Sequence, residues 1–435
     1  MFKRKIYDKL LEWKETSKGR TALLIEGARR VGKSTIVTEF GKNEYKSYIL
    51  IDFAFAPTGV KELFNDISDL DYLFLQLQLQ FKADLHERNS LIIFDEVQFC
   101  PKARQAVKKL VEDGRYDYIE TGSLISIKKN VEHILIPSEE RKIEMFPMDF
   151  EEFLWAMDRS LLGSEIKDHF NKNEKMPAPF HEEAMGIFKQ FLIIGGMPAV
   201  INEFIDSGSY LTVRDVQGKI QNEYVADMAK YATPATAVKI RACYNSIPAQ
   251  LAKENVKFQY KTVQRGGTAA IFGESIEWLV YAGAALKCQK TSHGFMPVSA
   301  YVNLSDFKLY MNDAGLLTMK SGMAVQTILS TLEEDNMFLG MISENYVAQT
   351  LVCNGFPLYY WKNENTAELD FVIQQAGEVV PVEVKKGRRT KSISFNLFMK
   401  QYKSKSGIRI SGKNFGFENN IRSVPLYAVW CIHPE

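Results

Sequence analysis

The sequence predicts an α/β protein whose first part is a parallel β-sheet covered by helices on both faces. An apolar segment at 21–26 leads into a glycine-bounded loop and then a helical segment. Further short apolar segments at 46–53, 90–97 and 116–123 end in acidic or hydroxyl residues, and helical segments separate them. Strands that alternate with helices form parallel sheets, which bind ligands at the carboxyl ends of the strands.

The loop after the first strand fits the phosphate-binding pattern GxxxxGK(S/T). Its glycines allow backbone N–H groups to converge on phosphate oxygens at the start of the next helix. Lys33 is expected to reach the β- and γ-phosphates of a nucleotide, and Ser34 to offer its hydroxyl to Mg²⁺. A chance glycine turn is the alternative, and the flanking strand and helix argue against it. The predicted nucleotide-binding residues are Gly27, Ala28, Arg29, Arg30, Val31, Gly32, Lys33, Ser34, Thr35 and, from a later strand, Ser123.

The strand that starts at Ser90 ends in two adjacent carboxylates, Asp95 and Glu96. We expect Asp95 to hold Mg²⁺ and Glu96 to orient and deprotonate the attacking water. An ordinary acidic loop after a buried strand is the alternative. Thr121 and Ser123 end the next apolar strand and suit a polar sensor beside the γ-phosphate. With Lys33 they complete a predicted ATP-hydrolysing site, in which Lys33 is expected to face solvent before nucleotide binds.

Composition limits the class of protein. The 435 residues are 46% hydrophobic and 25% charged, which is typical of a soluble protein of two or three domains. The N-terminus lacks the apolar region of a secretory signal, and the longest apolar stretches are too short for a bilayer. The five cysteines contain no CxxC pair, which excludes a cysteine-based zinc site and favours a reducing compartment. A cytoplasmic protein without a membrane segment is therefore expected.

We predict four regions: the nucleotide-binding core at 1–150, a helical region at 151–235, a winged-helix-like module at 236–325 and a C-terminal domain at 326–435. Glycine and proline at 195–198 should interrupt the helical region. The third region combines short helices with the strand-like segments 308–311 and 313–317. Contact with DNA and packing against a neighbouring domain both remain open for it.

A hairpin is predicted near the C-terminus, from segments 368–373 and 379–385 around Gly377. Because strand residues alternate between faces, Glu383 and Lys385 share one face, and Asp370 on the partner strand could meet them. Carboxylates that converge on a divalent cation beside a lysine could activate a metal-bound water and stabilise a phosphorane. A polar face in solvent is the alternative.

Two features next to this hairpin bear on its chemistry. Ser343 is expected to be the N-cap of a helix that places Glu344 near its start, where Glu344 could join the carboxylates. Between Lys385 and Lys413 there are ten Lys or Arg residues and no acidic residue. Aromatic residues interleave with them, and such a patch could bind a phosphate backbone. A solvated basic helix explains the pattern equally well. The aromatic residues are Phe395, Phe398, Tyr402 and Phe415.

Together these motifs resemble prokaryotic AAA-type P-loop ATPases of the AAA_14 class joined to a DUF4143 region. The resemblance rests on the two nucleotide motifs and on the segments 121–123, 147–154, 195–198, 368–371 and 381–385. It implies an AAA+ core, a winged-helix middle and a C-terminal domain similar to PD-(D/E)xK nucleases. Asp370, Glu383 and Lys385 match the nuclease motif, and Glu344 matches its helical glutamate.

The chain departs from these relatives at two places. Arg30 stands where they often have glutamine, and Glu140-Arg141 stands where they often have Gly-Arg. Arg30 should be tolerated because its side chain is expected to point away from the phosphates. Arg141 is a candidate for a charge-stabilising arginine.

The sequence thus predicts an ATP-binding, Mg²⁺-dependent ATPase that couples nucleotide state to a nuclease-like, nucleic-acid-interacting C-terminal domain. The alternative is a regulatory ATPase switch whose C-terminal domain is a non-catalytic platform for protein or DNA. The predicted catalytic residues are Lys33, Asp95, Glu96, Asp370, Glu383 and Lys385. The predicted metal ligands are Ser34, Asp95, Glu344, Asp370 and Glu383. ATP and Mg²⁺ are the expected ligands, DNA and a second copy of the chain are candidate partners, and no membrane is expected.

Overall fold

The structure is a computed structural model that describes residues 1–123, 138–253, 257–330, 337–363, 367–385 and 393–434. It divides into two compact units. The first comprises Met1–Phe146 with Tyr281–Gly283, and the second comprises Pro147–Val280 with Ala284–Glu435.

The first unit contains a five-stranded sheet in which all neighbouring strands are parallel, as the sequence predicts. The strand order is β2-β3-β4-β1-β5. The strands are β1 (Ala22–Gly27), β2 (Ser47–Asp52), β3 (Ser90–Asp95), β4 (Asp117–Ser123) and β5 (Glu140–Met145). The helices are α1 (Ile6–Ser17), α2 (Lys33–Glu44), α3 (Thr58–Glu62), α4 (Leu70–Phe81) and α5 (Pro101–Asp113).

Local sequence explains why these elements form. All six residues of β3 are buried, as expected for a central parallel strand whose two faces are both covered. Helix α5 begins with a proline at its first turn and ends at Gly114, which adopts a left-handed conformation with φ of 74°. One core cluster lies between the sheet and its helices, where Phe64 packs edge-to-face on Phe53 and Phe94.

The second unit begins with helices. They are α6 (Phe150–Ala156), α7 (Ser160–Lys172), α8 (Ala178–Ile194), α9 (Pro198–Ser207), α10 (Tyr210–Tyr231), α11 (Pro234–Leu251), α12 (Tyr260–Val263) and α13 (Ala269–Tyr281). The segment at 147–154 forms a capping box: Asp149 accepts from the N–H of Glu152, whose side chain accepts from the N–H of Asp149.

Two mixed sheets follow in the second unit. One has the order β7-β6-β8-β9, from β6 (Ala285–Thr291), β7 (Val302–Met311), β8 (Tyr359–Lys362) and β9 (Glu368–Leu369). The other has the order β10-β11-β12-β14-β13, from β10 (Phe371–Gln375), β11 (Glu378–Val384), β12 (Gly407–Ser411), β13 (Gly416–Glu418) and β14 (Ile421–Pro425). Four helices lie between these strands along the chain: α14 (Ala314–Lys320), α15 (Val325–Ser330), α16 (Met337–Cys353) and α17 (Ile393–Tyr402).

The break between α8 and α9 is a packing feature. A Cβ atom on Gly195 would lie 2.2 Å from a carboxylate oxygen of Asp313, and one on Gly196 would lie 2.0 Å from the carbonyl oxygen of Met148. The N–H of Gly196 donates to Asp313 at 2.6 Å. The two glycines therefore allow α14 and the start of α6 to approach this turn closely.

Two sequence-based expectations are wrong. Segment 313–317 is not a strand, because Asp313 caps α14 by accepting the N–H of Leu316 at 2.8 Å. Ser343 is not an N-cap, because α16 begins at Met337 and continues through Ser343 to Cys353. The apolar residues before Ser343 extend the helix, so Glu344 lies in its interior.

The predicted hairpin is present. Strands β10 and β11 pair antiparallel around Gly377, which has φ of 76°. Glu368 and Leu369 leave the hairpin and pair with β8 in the other sheet. Asp370 therefore lies at the point where the chain passes from one sheet to the other.

Within the described ranges, no single helix is both long and apolar enough to cross a bilayer. Helices α8 and α9 pass that test only as a pair, with a bend of 116° between them.

Candidate functional site

The strand order of the first unit brings the predicted nucleotide residues to one edge of its sheet. Strand β4 lies between β1 and β3, with Ile25 beside Thr121 and Phe94 beside Glu120. The loop after β1, the carboxylates after β3 and Thr121 in β4 therefore meet at the carboxyl ends of adjacent strands. This edge is where parallel α/β sheets bind their ligands.

The loop has the backbone geometry of an anion site. A Cβ atom on Gly27 would lie 2.2 Å from the carbonyl oxygen of Met145, so only glycine fits this close approach. Gly32 has φ of 99° and lies at the N-cap of α2, where no side chain of the described residues caps the helix. The first N–H groups of a helix lack intrahelical acceptors and attract phosphate. Along the loop, Ala28 and Val31 are buried, and Arg29, Arg30 and Thr35 are exposed.

Lys33 does not face solvent, contrary to the sequence-based expectation. Its side chain is directed back into the loop, where Nζ donates to the carbonyl oxygens of Gly27 at 3.0 Å and Ala28 at 2.9 Å. The residue is only 7% exposed. Its ammonium therefore holds the loop in shape in addition to the phosphate-binding role that the motif predicts.

Asp95 and Ser34 are in direct contact. The hydroxyl of Ser34 donates to Oδ1 of Asp95 at 2.9 Å, and Asp95 is 5% exposed. Thr121 also donates to Oδ1 of Asp95 and accepts the backbone N–H of Glu96 at 3.2 Å. A carboxylate and a hydroxyl side by side are hard oxygen donors, which suit Mg²⁺. One threonine thus connects the carboxylate of Asp95 to the backbone of Glu96, the two residues that the sequence predicts to be catalytic.

Glu96 has an unusual backbone. Its φ of 52° and ψ of 47° are left-handed, a conformation that costs a non-glycine residue about 1–3 kcal/mol and is concentrated at functional sites. Gln98 is buried and donates its side-chain amide to Oε2 of Glu96. The carboxylate of Glu96 is therefore held by a side chain two residues away. Nothing in the sequence pattern marked Gln98 as a functional residue.

Arg4 is a second residue that sequence reasoning missed. Its guanidinium donates to the carbonyl oxygens of Val31 at 2.9 Å and Phe146 at 2.7 Å. It is 7% exposed and connects the N-terminal segment to the phosphate-binding loop. The one sequence signal for this contact is an arginine near the start of the chain, which is too common a feature to indicate a function.

Arg141 does not join this cluster in the described structure. Arg141 lies on β5 beside Leu23, four residues before the loop, and its guanidinium lies 3.4 Å from Glu12. At about 3.3 Å per residue this is roughly 13 Å from the phosphate end of the strand. Ser123 ends β4 beside Gly27. Its side chain is outside the described part of the chain.

The hairpin residues of the second unit make the contacts that the sequence suggests. Nζ of Lys385 lies 2.8 Å from Oε1 of Glu383, which confirms that they share a face. Asp370 is adjacent, with Oδ2 accepting the N–H of Val384 at 2.8 Å. Burial and the nearby carboxylate of Glu344 raise the pKa of Asp370 to about 7.

A buried lysine from another strand enters the same region. Lys308 of β7 contacts Oε1 of Glu344 at 3.1 Å and Oε1 of Glu368 at 2.9 Å. Burial alone would lower the pKa of Lys308, but Glu344 and Glu368 raise it above its usual value. Although burial would raise the pKa of Glu368, Lys308 and Lys362 lower it. Within the described ranges, no three His, Cys, Asp or Glu side chains are grouped as metal ligands.

The basic C-terminal segment does not present its aromatic residues as a stacking surface. Phe395, Phe398 and Phe415 are buried. Phe398 packs on Trp361 at 5.2 Å and on Tyr402 at 4.6 Å between ring centroids. These rings form core, so they cannot stack on bases. Residues 386–392, which contain much of the predicted positive charge, are outside the described residues.

Three family models match the chain. AAA_14, described as an AAA domain, matches residues 19–154. Two domains of unknown function follow, DUF8612 at residues 185–327 and DUF4143 at residues 339–429. The resemblance drawn from the motifs is confirmed, and the first match identifies the nucleotide-binding edge as part of an AAA-type ATPase domain.

Solved structures resemble the chain distantly. The Walker-type ATPase PABY2304 of Pyrococcus abyssi is 16% identical, with 74% of this chain and 96% of that chain covered and a TM-score of 0.44. The Aeropyrum pernix ORC1 protein, solved in complex with DNA, is 9% identical, with 76% and 92% covered and a TM-score of 0.27. The search of curated proteins gives no match.

Proposed function

Because this chain joins an AAA domain of the AAA_14 family to a DUF4143 region, we propose that it hydrolyses ATP with Mg²⁺ and couples its nucleotide state to the C-terminal domain. The observation that carries the proposal is the contact of Thr121 with both Asp95 and Glu96, beside the loop that holds Lys33. This arrangement gives each predicted role a side chain at one edge of the sheet.

Each residue of the site has one task in this proposal. Backbone N–H groups at the start of α2 and the ammonium of Lys33 bind the phosphates. Ser34 and Asp95 would hold Mg²⁺, which neutralises phosphate charge when bound. Glu96, held by Gln98, accepts a proton from the attacking water. Thr121 holds the carboxylate of Asp95 and the backbone of Glu96 in fixed positions relative to each other.

Steady-state and single-turnover ATP hydrolysis by the Glu96→Gln variant tests this proposal. We expect hydrolysis to fall by about 10²–10⁴-fold, the usual contribution of a general base, while ATP affinity changes little. Glu112→Gln is the matched control, because the side chain of Glu112 on α5 is 60% exposed. Undiminished hydrolysis by Glu96→Gln would refute the assigned base, and absence of ATP binding by the natural chain would refute the whole proposal.

Two functions are open for the C-terminal domain. The first is a nuclease-like, nucleic-acid-interacting domain, supported by the contact between Glu383 and Lys385 on the predicted motif. The second is a non-cutting platform for DNA or protein, supported by Lys308, which already pairs with two carboxylates there. A cytoplasmic location agrees with the five cysteines, which form no disulfide bond among the described residues. Assembly with further copies of the chain stays open.

Cleavage of plasmid and single-stranded DNA, with Mg²⁺ or Mn²⁺ and with or without ATP, separates these functions. Cleavage that Glu383→Ala abolishes would establish the nuclease. DNA binding without cleavage by either protein would establish the platform.

A further inference from the structure

Lys308 is the most deeply buried lysine among the described residues of the second unit. It lies on β7 opposite Cys288 of β6, and its side chain is 1% exposed. An ammonium group loses several kcal/mol of hydration when it is buried, so it is retained only where anions surround it. The residues around Lys308 therefore show what the cation does.

The partners of Lys308 come from two different elements. Its Nζ contacts Glu344 of α16 and Glu368 of β9, and it lies 4.9 Å from the centre of the Tyr360 ring. A cation over an aromatic face is a further favourable contact. The ammonium thus connects β7, α16 and β9, and it lies among the carboxylates that the sequence assigned to a metal ion.

Other protein donors bind the same carboxylates. Oε1 of Glu344 accepts the hydroxyl of Tyr310 at 2.5 Å, and Oε2 of Glu368 lies 2.9 Å from Nζ of Lys362. Oε1 of Glu383 is bound by Lys385, and Oδ2 of Asp370 by the N–H of Val384. A divalent metal ion needs several oxygen ligands directed at one point. In the described contacts only Oε1 of Glu344 and Oε1 of Glu368 converge on one point, which the ammonium of Lys308 occupies, and the other contacts go to separate donors.

The charges of the cluster balance without a metal ion. Four acidic side chains, Glu344, Glu368, Asp370 and Glu383, lie with four cations of the described residues, Lys308, Lys362, Lys385 and Arg409. Because burial raises the pKa of Asp370 to about 7, the cations at least balance the negative charge near neutral pH. A divalent cation added to this set would leave an excess of at least two positive charges in a largely buried region. Electrostatics therefore disfavour the metal that the nuclease resemblance implies.

We propose that Lys308 is a resident cation that takes the place of the divalent metal ion, so that the C-terminal domain neither binds metal nor cuts nucleic acid. The ammonium is fixed by covalent attachment to β7 and cannot be exchanged with solvent ions. The ion pairs of Lys308 then hold α16 against the sheet that contains β7 and β9. This inference rests on the second function proposed for the C-terminal domain, the non-cutting platform.

Binding of Mn²⁺ to the full chain, measured by loss of the electron paramagnetic resonance signal of the free ion, tests the inference. The natural chain is compared with its Glu344→Gln variant without nucleotide, so that any Mn²⁺ bound near Asp95 is common to both. We expect the two proteins to bind the same amount of Mn²⁺. Lys308→Ala is expected to gain one Mn²⁺ site, which binds at least about tenfold more tightly than any Mn²⁺ at this cluster in the natural chain. Adding Glu344→Gln to Lys308→Ala should remove this site again.

Lys362→Ala is the matched control, because Lys362 also contacts Glu368 but its side chain is 28% exposed. This variant should gain no Mn²⁺ site. A Mn²⁺ site in the natural chain that disappears in Glu344→Gln would overturn the inference, and this comparison holds even if Lys308→Ala fails to fold. A folded Lys308→Ala without a new site would also overturn it. These Mn²⁺ measurements are independent of ATP hydrolysis, so failure of this inference can be distinguished from failure of the proposed ATPase.

Discussion

Nζ of Lys33 lies 3.0 Å from the carbonyl oxygen of Gly27, the first residue of the phosphate-binding loop. A second bond of the same ammonium, to Ala28, closes the loop on itself. The lysine that should bind phosphate is thus also a structural part of the loop. Because an ammonium group has three N–H donors, the third donor of Lys33 can bind phosphate, and phosphate oxygens compete with the two carbonyl oxygens for the other donors.

This relationship gives the first prediction. Lys33→Ala should abolish ATP binding and also lower the free energy of unfolding of the first unit by about 1.5–3 kcal/mol, the range for a hydrogen bond to a charged group. Chemical unfolding followed by the fluorescence of Trp13 in α1 measures the stability, and nucleotide titration measures the binding. Lys42→Ala is the control, because Lys42 is exposed in the last turn of the same helix. Unchanged stability of Lys33→Ala would show that the carbonyl contacts contribute nothing.

Thr121 provides the second prediction, because its hydroxyl both donates to Asp95 and accepts from the N–H of Glu96. Thr121→Val removes both bonds at nearly constant volume, so hydrolysis should fall by about 10- to 100-fold, the equivalent of one or two hydrogen bonds. Thr121→Ser keeps the hydroxyl and should retain most of the activity. Single-turnover hydrolysis at saturating ATP makes the comparison, and equal rates for the valine and serine variants would contradict it.

The site residues that the sequence predicted lie close together along the chain, whereas those that it missed are far apart in sequence. Gly27 to Ser34 are consecutive in the sequence, and Glu383 and Lys385 share a strand face by simple alternation. A local pattern was therefore enough to predict both groups. Lys308 and Glu344 are 36 residues apart and meet only after α16 packs against the sheet that contains β7. A lone lysine in a strand carries no sign of such a partner.

In the basic C-terminal segment the structure differs from the surface that the sequence suggested, because the aromatic residues are buried. Phe395 and Phe398 have the spacing of residues that interleave with positive charge on a surface. In the folded unit they pack beneath Trp361 and become core. Which face of a short helix is buried depends on the sheet it meets, and that information lies in distant strands.

Gly196 carries the third prediction. Gly196→Ala would bring a Cβ atom to 2.0 Å from the carbonyl oxygen of Met148 and disturb the N–H bond to Asp313. Overpacking of this kind costs about 1–3 kcal/mol. Gly186→Ala is the matched control, because Gly186 lies inside α8 and a methyl group added there would meet no atom within 4 Å, so alanine should add about 0.5–1 kcal/mol of stability. Thermal unfolding of both variants tests the contrast, which fails if the two changes have the same sign.

Glu120 carries the fourth prediction, on pH. It is fully buried on β4 beside Glu140, and both face the guanidinium of Arg104, which lies 3.1 Å from Glu140 and 3.9 Å from Glu120. Lys142 lies 3.6 Å from Glu140 but is 48% exposed, so Arg104 is the main compensating cation and cannot by itself compensate two buried carboxylates. The oxygens of Glu120 have no hydrogen-bond donor among the described residues unless a proton lies between the two acids. Burial, and then Glu140, therefore raise the pKa of Glu120 well above its usual value.

The sign of the pH effect follows from this raised pKa. Below pH of about 4.5 Glu120 is protonated in both the folded and unfolded states, and its contribution to stability is fully present. As pH rises, the unfolded chain releases the proton first, so stability falls until the folded pKa is passed. Glu120→Gln keeps an uncharged donor for Glu140 and should be increasingly more stable than the natural protein above pH 5, by about 1.4 kcal/mol for each unit of pKa shift. Urea unfolding between pH 5 and 9 measures this difference, with Glu62→Gln at an exposed site as the control. A pH-independent difference between Glu120→Gln and the natural protein would mean that Glu120 is ionised in the folded state and that Arg104 compensates both carboxylates.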